Sequence, residues 1–326
     1  METKIFSKKQ IPEAVELLKK GELVAFPTET VYGLGALATN EKAVKGVYAA
    51  KGRPSDNPLI VTVSDEKMME NYVNEVPERA KKLIKHFWPG PLTIILFVKE
   101  GTLPDAVTGG LPTAAFRCPD DEMTHDLISK LVGPSANTST KPSPTTAEHV
   151  YHDLKGKIAG IIDNGPTEIG LESTIVDLSV ETPTVLRPGE ITPEEISKVL
   201  GEEVLMNKGT TQTKGVPKAP GMKYRHYAPS APVFIVDKEA DFSKIKWDKE
   251  TGVAALDEVL DKIDSSNKYS LGKTIDKAAH NLFGALRYFD SENNIKRIYV
   301  QGFDHGAISP AYMNRLNKAA AGHHFH

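Results

Sequence analysis

The sequence predicts an α/β protein with two domains, a larger amino-terminal one and a smaller carboxy-terminal one. The chain has 326 residues, which at roughly 150 residues per domain corresponds to about two domains. Short runs of β-branched residues alternate with segments of helical periodicity up to about residue 205. The same alternation begins again at Val233. Each part is therefore predicted to form a β-sheet covered by helices.

The composition is that of an ordinary globular protein. Hydrophobic residues make up 40% and charged residues 25%, and 40 Lys and Arg face 43 Asp and Glu, for a net charge of −3. Such a chain has no global positive field for nucleic acid or anionic lipid. Cys118 is the single cysteine, the amino terminus has no apolar signal region, and apolar runs are strand-length. We expect a cytoplasmic protein without disulfides or a Cys-rich zinc site.

The larger domain is predicted to contain a mixed sheet. Several predicted strands follow one another with no helix between them, which excludes a purely parallel arrangement. The predicted strands are Leu23 to Phe26, Leu59 to Val63, Thr93 to Val98, Thr113 to Arg117, Ile158 to Asp163, Thr174 to Leu178 and Thr184 to Arg187. Helix starts are predicted from capping residues at Asn40, at Thr145 with Glu148, and at Thr192 with Glu195 and Pro193.

We place the first domain at 1–205, a basic linker at 206–230 and the second domain at 231–326. Between Leu205 and Ser230 there is no Asp or Glu, and the five cations are Lys208, Lys214, Lys218, Lys223 and Arg225. A solvated tether is one interpretation of such a segment. The clustered Tyr224, His226 and Tyr227 favour another, a lid that folds over an anionic ligand.

The second domain is predicted to be Rossmann-like. Its strands are predicted at Val233 to Val236, Val253 to Leu256 and Arg297 to Val300. A helix from about Asp276 to Phe289 would place Ala279, Leu282, Phe283 and Leu286 on one face. Leu271 to Thr274 resembles the end of a phosphate-binding loop, but the position of the required earlier glycine is Asn267. We therefore predict no phosphate loop here.

Polar residues follow the first predicted strand at Thr28, Glu29, Thr30 and Tyr32. Gly33, Gly35 and Ala38 match a dinucleotide-binding pattern, but no helix start follows directly, which argues against that site. Open α/β sheets bind ligands at the carboxyl ends of strands. The segment is therefore a candidate binding loop, with a plain polar turn as the alternative.

Cations and small polar groups follow several other elements. Lys51 and Arg53 stand at the predicted end of a helix. There they could bind phosphate oxygens or simply interact favourably with the negative end of the helix dipole. Two predicted strands end in arginine, at Arg117 and Arg187. Turns rich in hydroxyls and amides lie at Ser135 to Asn137 and at Glu172 to Thr174. The chain has no metalloprotease or nucleophile-elbow motif. This set of residue types is suited to phosphoryl or nucleotidyl transfer, which depends on positioning and charge stabilisation.

The ordered motifs resemble those of the YrdC-type threonylcarbamoyl-AMP synthases, in their longer two-domain form. The resemblance is carried by Phe26 to Gly35, Lys51 to Pro54, Asn57 to Leu59, Trp88 to Thr93, Ser135 to Asn137, Glu172 to Thr174, Arg187 to Gly189, Pro220 to Pro229 and Asn314 to Leu316. It implies a YrdC-like twisted mixed sheet with helices. It also implies synthesis of L-threonylcarbamoyl-AMP and pyrophosphate from L-threonine, bicarbonate or CO₂ and ATP, with Mg²⁺ on the phosphates.

The resemblance also implies roles for individual residues. Lys51 and Arg53 would be catalytic. ATP would be bound by Lys51, Arg53, Asn57, Thr113, Ser135, Asn137, Ser143, Arg187, Tyr224 and Tyr227. Threonine would be bound by Thr30, Tyr32, Thr62, Arg117 and Ser173, with Arg117 on its carboxylate. At Thr62 the sequence departs from the longer family members, which tend to have histidine there.

The implied product would be passed transiently to a separate transferase that modifies the adenosine next to the anticodon of tRNA. Two other functions are considered. A double-stranded RNA or tRNA-binding module would hold phosphates in a basic groove, although the net charge argues against stable nucleic-acid binding. A carbamoyl-adenylate former of hydrogenase maturation would require acylphosphatase and Cys-rich zinc modules that the sequence lacks.

Overall fold

A computed structural model describes residues 2–128, 131–207, 217–218, 226–292 and 294–326. Its contacts divide the chain into two compact units. The first unit contains the described parts of Met1–Ser139, Pro144–Thr167 and Glu172–Lys223. The second contains those of Thr140–Ser143, Glu168–Leu171 and Tyr224–His326. Two short segments from the range predicted for the first domain thus belong to the second unit.

The first unit holds an 11-stranded sheet within the described residues. Its strands are β1 (Lys4–Phe6), β2 (Val24–Phe26), β3 (Gly33–Leu37), β4 (Ile60–Thr62), β5 (Leu92–Phe97), β6 (Thr113–Arg117), β7 (Leu131–Val132), β8 (Gly160–Ile162), β9 (Thr174–Asp177), β10 (Thr184–Arg187) and β11 (Leu205–Met206). Their order is β1-β8-β2-β3-β7-β4-β6-β5-β9-β10-β11. Parallel pairs such as β4 with β6 alternate with antiparallel pairs such as β5 with β6, which confirms the predicted mixed sheet.

Eight α-helices accompany this sheet in the described part of the first unit. They are α1 (Ile11–Lys19), α2 (Glu41–Lys51), α3 (Glu66–Met69), α4 (Glu78–Phe87), α5 (Asp105–Thr108), α6 (Glu122–Leu127), α7 (Ala147–Leu154) and α8 (Pro193–Leu200). A 3-10 turn spans Lys8–Gln10. The main core includes Val44 and Val47 of α2, Leu83 of α4 and Ile94 of β5, all fully buried. Each of these helices buries an apolar face, as its periodicity requires.

Two of the three predicted helix starts are confirmed and the third is shifted. The Asn40 side chain caps α2 by accepting from the Ala43 amide at 3.1 Å. Thr192 and Glu195 form the predicted capping box of α8. The prediction of Thr145 as a cap is wrong by one residue. Thr146 caps α7, because its hydroxyl accepts from the His149 amide at 3.3 Å.

The segment Gly33–Leu37 is a strand, which the sequence analysis does not predict because glycine is unfavourable in strands. β2 and β3 form an antiparallel pair in which Phe26 lies opposite Gly33. A Cβ atom on Gly33 would lie 2.6 Å from the Phe26 ring, and one on Gly35 would lie 2.8 Å from the Val24 carbonyl. Both glycines thus serve close packing within a sheet. They do not open a helix, as a dinucleotide-binding turn would.

The second unit is built on a five-stranded sheet, as far as its described residues go. Its strands are β12 (Val233–Val236), β13 (Thr251–Ala255), β14 (Lys268–Ser270), β15 (Arg297–Gln301) and β16 (His324–Phe325), in the order β14-β13-β15-β12-β16. All its strand pairs are parallel, in keeping with the predicted Rossmann-like character. Its helices are α9 (Asp257–Leu260), α10 (Ile275–Ser291) and α11 (Ser309–Ala319), with a 3-10 turn at Glu239–Lys244. The predicted face of α10 is confirmed, since all four of its named residues are buried.

Hydrogen bonds from α10 explain why two distant segments join the second unit. Arg287 donates to the Pro142 carbonyl at 2.5 Å, and Lys141 pairs with Asp290 at 2.7 Å. The His280 ring lies 2.7 Å from the Glu168 carbonyl. Across the described ranges, no helix is long and apolar enough to cross a bilayer.

Candidate functional site

The loop between β2 and β3 is shaped by its own hydroxyls. The Thr28 hydroxyl donates to the Val31 carbonyl at 2.6 Å and accepts from the amides of Thr30 and Val31 at 3.2 Å each. The Thr30 hydroxyl lies 2.9 Å from that of Thr28 and is fully buried. A short polar side chain that bonds to nearby backbone fixes a turn in this way. The loop is therefore rigid enough to present Thr30 in one orientation.

Tyr32 anchors the other end of this loop. Its hydroxyl donates to the Gly165 carbonyl at 2.7 Å and accepts from the Asn164 amide at 3.2 Å. Burial raises the pKa of this phenol above its ordinary value, so the hydroxyl stays a donor. The Tyr32 hydroxyl therefore already has one acceptor and one donor partner in the backbone of residues 164 and 165.

Arg117 lies at the carboxyl end of β6 between two threonines. The strand register places it beside Thr62 of β4 on one side and Thr93 of β5 on the other. Its guanidinium is paired with Glu29, from the loop after β2, at 2.7 Å between Nη2 and Oε2. Both side chains are at least nine-tenths buried. The sheet thus holds a cation, a carboxylate and two hydroxyls at one strand end.

A second arginine continues this polar cluster across β9. Arg187, at the end of β10, donates from Nε to the Ser173 carbonyl at 3.0 Å and from Nη2 to the Ser173 hydroxyl at 3.1 Å. The Ser173 hydroxyl lies 2.8 Å from that of Thr93. A planar guanidinium can contact two atoms at once in fixed geometry. Ser173 therefore links Arg187 to the strand that flanks Arg117.

Lys51 and Arg53 take fixed positions at the end of α2. The helix ends at Gly52, whose left-handed backbone has φ 60°. The buried Lys51 ammonium donates to the Ser135 carbonyl and to the Asn137 carbonyl, the latter at 2.8 Å. Arg53 donates to the Asn57 carbonyl at 3.1 Å. The helix end is therefore tied to the turn at Ser135 by a buried cation.

The turn around Ser135 lies against the loop after β2. The Leu34 amide donates to the Pro134 carbonyl at 2.6 Å, and the Ala136 amide donates to the Tyr32 carbonyl at 2.8 Å. A β-bridge joins Gly33 to Ser135. Together with the Lys51 contacts, these bonds place the loop between β2 and β3, the end of α2 and the Ser135 turn next to one another.

Two predicted ATP contacts lie at the other end of the sheet strands. Thr113 is the first residue of β6 and Arg117 is the last, so the strand separates them by roughly 13 Å at about 3.3 Å per residue. Asn57 precedes the parallel strand β4 and is therefore placed at the same end as Thr113. The buried Oδ1 atom of Asn57 has no hydrogen-bond partner among the described residues.

The remaining predicted contacts belong to the second unit or lie outside the description. Ser143 and Tyr227 are grouped with the second unit, where Tyr227 packs on Phe283 with ring centroids 5.1 Å apart. Tyr224 lies outside the described residues, as does most of the predicted linker. Of the linker cations, Lys218 is described and pairs with Asp177 at 2.9 Å in the first unit.

Glu29, which was predicted only as part of a polar binding loop, and Thr93, for which no role was predicted, also lie in the polar cluster around Arg117. Glu29 carries no periodic signal, and its contact with Arg117 joins residues 88 positions apart in sequence. Thr93 could have been found from its strand, since it lies opposite Arg117 in the β5–β6 register. In the described part of the chain, no group of three or more His, Cys, Asp or Glu residues could hold a metal ion.

Comparison with known proteins covers both units. A family described as telomere recombination, Sua5/YciO/YrdC, matches residues 16–189, and one described as the threonylcarbamoyl-AMP synthase C-terminal domain matches residues 191–321. The threonylcarbamoyl-AMP synthase of Bacillus subtilis strain 168 is 46% identical over 96% of this chain and 93% of its own length. That of Pyrococcus abyssi is 45% identical over 94% of this chain and 93% of its own length.

A solved structure is similar over the same length. The structure of P. abyssi Sua5 complexed with L-threonine has a TM-score of 0.90 and 42% identity, and the match covers 99% of this chain and 100% of that chain. A doubly substituted variant of the P. abyssi protein also has a TM-score of 0.90, with 41% identity and 99% coverage of both chains.

Proposed function

The chain belongs to the Sua5/YciO/YrdC family in its longer form, and we propose that it makes L-threonylcarbamoyl-AMP and pyrophosphate from L-threonine, bicarbonate or CO₂ and ATP. Family membership confirms the resemblance drawn from the sequence motifs. One observation carries the proposal, namely the row of polar residues in which Arg187 donates to Ser173, the Ser173 hydroxyl contacts that of Thr93, and Thr93 is the strand neighbour of Arg117. It supports a site for the carboxylate of a small amino acid beside a nucleotide.

The threonine end of this site is proposed on the Arg117 strand end. Arg117 would pair with the carboxylate, because a guanidinium matches a carboxylate in two-point geometry. Thr30 and Ser173 would add buried hydroxyls to this end of the site. The rest of the proposed threonine set is Tyr32 and Thr62, of which Thr62 lies beside Arg117 in the strand register.

The nucleotide end would be formed by the cations and small polar groups. Lys51 and Arg53 would act as the catalytic cations, since their charges can stabilise the phosphate oxygens during transfer. The rest of the proposed ATP set is Asn57, Thr113, Ser135, Asn137, Ser143, Arg187, Tyr224 and Tyr227. Mg²⁺ would enter with ATP as the MgATP substrate.

The reaction assigns this chain to the nucleotidyltransferases. The threonine ammonium would lose a proton to solvent, and the free amine would add to CO₂ to give a carbamate with release of a second proton. A carbamate oxygen would then attack the α-phosphorus of ATP. The bond from that phosphorus to the bridging oxygen would break, and pyrophosphate would leave. A carbamate and a mixed anhydride decompose in water, so the site must exclude it. The product would then pass to a separate transferase that modifies tRNA next to the anticodon.

Pyrophosphate release tests this function directly. With purified protein and MgATP, release should require both L-threonine and bicarbonate. Lys51→Ala should lower the rate at least about 100-fold, because a buried phosphate-binding cation is lost. Lys45→Ala, on the exposed face of the same helix, should keep the rate within a factor of about 2. Equal release with and without threonine and bicarbonate would refute the proposal.

A further inference from the structure

Glu29 is a buried carboxylate with less bonding than its position demands. Its side chain is 5% exposed, and its nearest charged partner is Arg117 at 2.7 Å. Neither carboxylate oxygen has a hydrogen-bond partner among the residues that the structure describes, and the contact with Arg117 is an ion pair by distance alone. An ionised carboxylate has about four acceptor sites, so most of its bonding capacity is unused.

Such an arrangement is costly unless another group completes it. Removing a carboxylate from water is energetically costly, and one ion pair without hydrogen bonds does not offset that cost well. Positions where buried charges stay incompletely satisfied often coincide with functional sites. The group that would complete Glu29 is a positively charged donor, since the carboxylate can only accept.

The residues that flank Glu29 and Arg117 are neutral threonines. Glu29 stands between Thr28 and Thr30, in the loop that the Thr28 hydroxyl fixes. Its partner Arg117 is flanked by Thr62 and Thr93, which are neutral and cannot supply a cation. The pair therefore offers one positive and one negative group side by side at a buried position.

An α-amino acid carries the complementary pair of charges. Its ammonium and carboxylate are attached to a single carbon, so the two charges are as close as those of Glu29 and Arg117. We propose that Glu29 binds the α-ammonium of the amino-acid substrate while Arg117 binds its carboxylate. This inference rests on the proposed function and adds a residue that selects a zwitterion over a simple carboxylic acid.

Two other roles for Glu29 make different predictions. If Glu29 only orients Arg117, its loss should weaken every ligand with a carboxylate by the same factor. If Glu29 occupies Arg117 in place of the substrate carboxylate, its loss should tighten binding. Recognition of the ammonium predicts a loss that depends on the ammonium itself.

Calorimetric titration with two ligands separates these roles. The ligands are L-threonine and 2,3-dihydroxybutanoate of the same configuration, which carries a hydroxyl in place of the ammonium. Glu29→Gln should weaken threonine binding about 10- to 100-fold, the range expected for a hydrogen bond to a charged group. Binding of the hydroxy acid should change less than about 3-fold. Glu16→Gln, on the exposed face of α1, should leave both affinities unchanged.

A second variant guards against loss of folding. Glu29→Asp keeps the charge on a shorter side chain, so it should retain the preference for threonine at intermediate affinity. Equal loss for both ligands in Glu29→Gln, or tighter threonine binding, would overturn the inference. So would a wild-type protein that binds both ligands equally. A wild-type protein with the threonine preference but no threonine-dependent pyrophosphate release would refute the proposed function and leave this inference standing.

Discussion

Cys118, the residue after Arg117, shows how burial controls the chemistry of a single side chain. It is 2% exposed, and its thiol donates to the Ser64 carbonyl at 3.1 Å. Burial, reinforced by the nearby carboxylates of Asp65 and Glu29, raises the pKa of this thiol to about 12. A thiolate is the reactive form of cysteine, so the folded protein holds Cys118 in its unreactive form.

Alkylation measures this directly. At pH 8.5 iodoacetamide should label Cys118 in the folded protein at least about 100-fold more slowly than in urea, because both the thiolate fraction and access fall. The raised pKa also makes stability decline as pH rises from about 9, where the unfolded thiol ionises, through about 12. Cys118→Ala should remove the label and lessen that decline. Equally fast labelling of folded and unfolded protein would contradict the assignment.

The positions of several candidate site residues could be predicted at this scale. Lys51, Arg117, Ser173 and Arg187 stand at element ends in the sequence, and the structure places their side chains in buried polar contacts. Ser135 and Asn137 accept from Lys51 through their backbone carbonyls, and the ligand-binding roles of all six residues stay predictions. The pairing of Glu29 with Arg117 could not be predicted. An ion pair across 88 positions depends on which loop lies over which strand end, and no local pattern encodes that.

At the scale of elements, α2 shows how helix ends position functional groups. Asn40 fixes its start, and Gly52 ends it with a left-handed backbone. The Arg53 amide then donates to the Tyr48 carbonyl at 2.9 Å, which closes the last turn. Lys51 and Arg53 therefore leave the helix on either side of a glycine that sets their directions.

A pair of glycine substitutions tests this arrangement. Gly52→Ala should lower the free energy of unfolding by about 1 kcal/mol, because a side chain is strained at φ 60° even though no atom lies within 4 Å. Gly46→Ala in the interior of α2 should raise stability by about 0.5 to 1 kcal/mol, since its new Cβ would meet Leu23 at an ordinary 3.7 Å. Urea denaturation measures both, and equal effects would contradict the role of Gly52 as the helix end.

The elements predicted from sequence are those with strong local signals. Thr113–Arg117, Thr184–Arg187 and Val233–Val236 have the predicted bounds, and most other predicted strands differ by one or two residues at an end. Besides β3, the strands β1, β7, β11, β14 and β16 were not predicted. A strand of two or three residues contains too little alternation to be recognised and forms because a neighbour pairs with it.

At the scale of the whole molecule, Asp290 of α10 unites three parts of the second unit. It pairs with Lys141 at 2.7 Å and accepts from the Ser230 amide at 2.6 Å. Burial by itself would raise the pKa of this carboxyl, but the bonds from Lys141 and Ser230 outweigh it and lower the pKa. The carboxylate of Asp290 thus joins helix α10 to the segment around Lys141 and to the start of the carboxy-terminal part at Ser230.

Removing this charge should destabilise the second unit. Asp290→Asn should lower the free energy of unfolding by about 1 to 3 kcal/mol at pH 7, since it removes the partly buried negative charge that pairs with Lys141. The lowered pKa of Asp290 stabilises the folded protein at pH values above the ordinary aspartate pKa of about 4. That stabilisation is lost as the pH falls through the pKa that Asp290 has in the folded protein. The variant should therefore lose less stability than the wild type between pH 5 and about 3. Asp261→Asn, at an exposed position, should match the wild type in thermal unfolding at both ends of that range.

The sequence by itself determined the fold class, the mixed first sheet, the starts of α2 and α8 and the residue types of the candidate site. These properties follow from periodicity, capping and motif spacing, which act over a few neighbouring residues. Only the tertiary structure decided that Gly33–Leu37 is a strand, that Glu29 faces Arg117, and that Thr140–Ser143 and Glu168–Leu171 belong to the second unit. Each of these depends on contacts between segments far apart in the chain, which form only when the whole core packs.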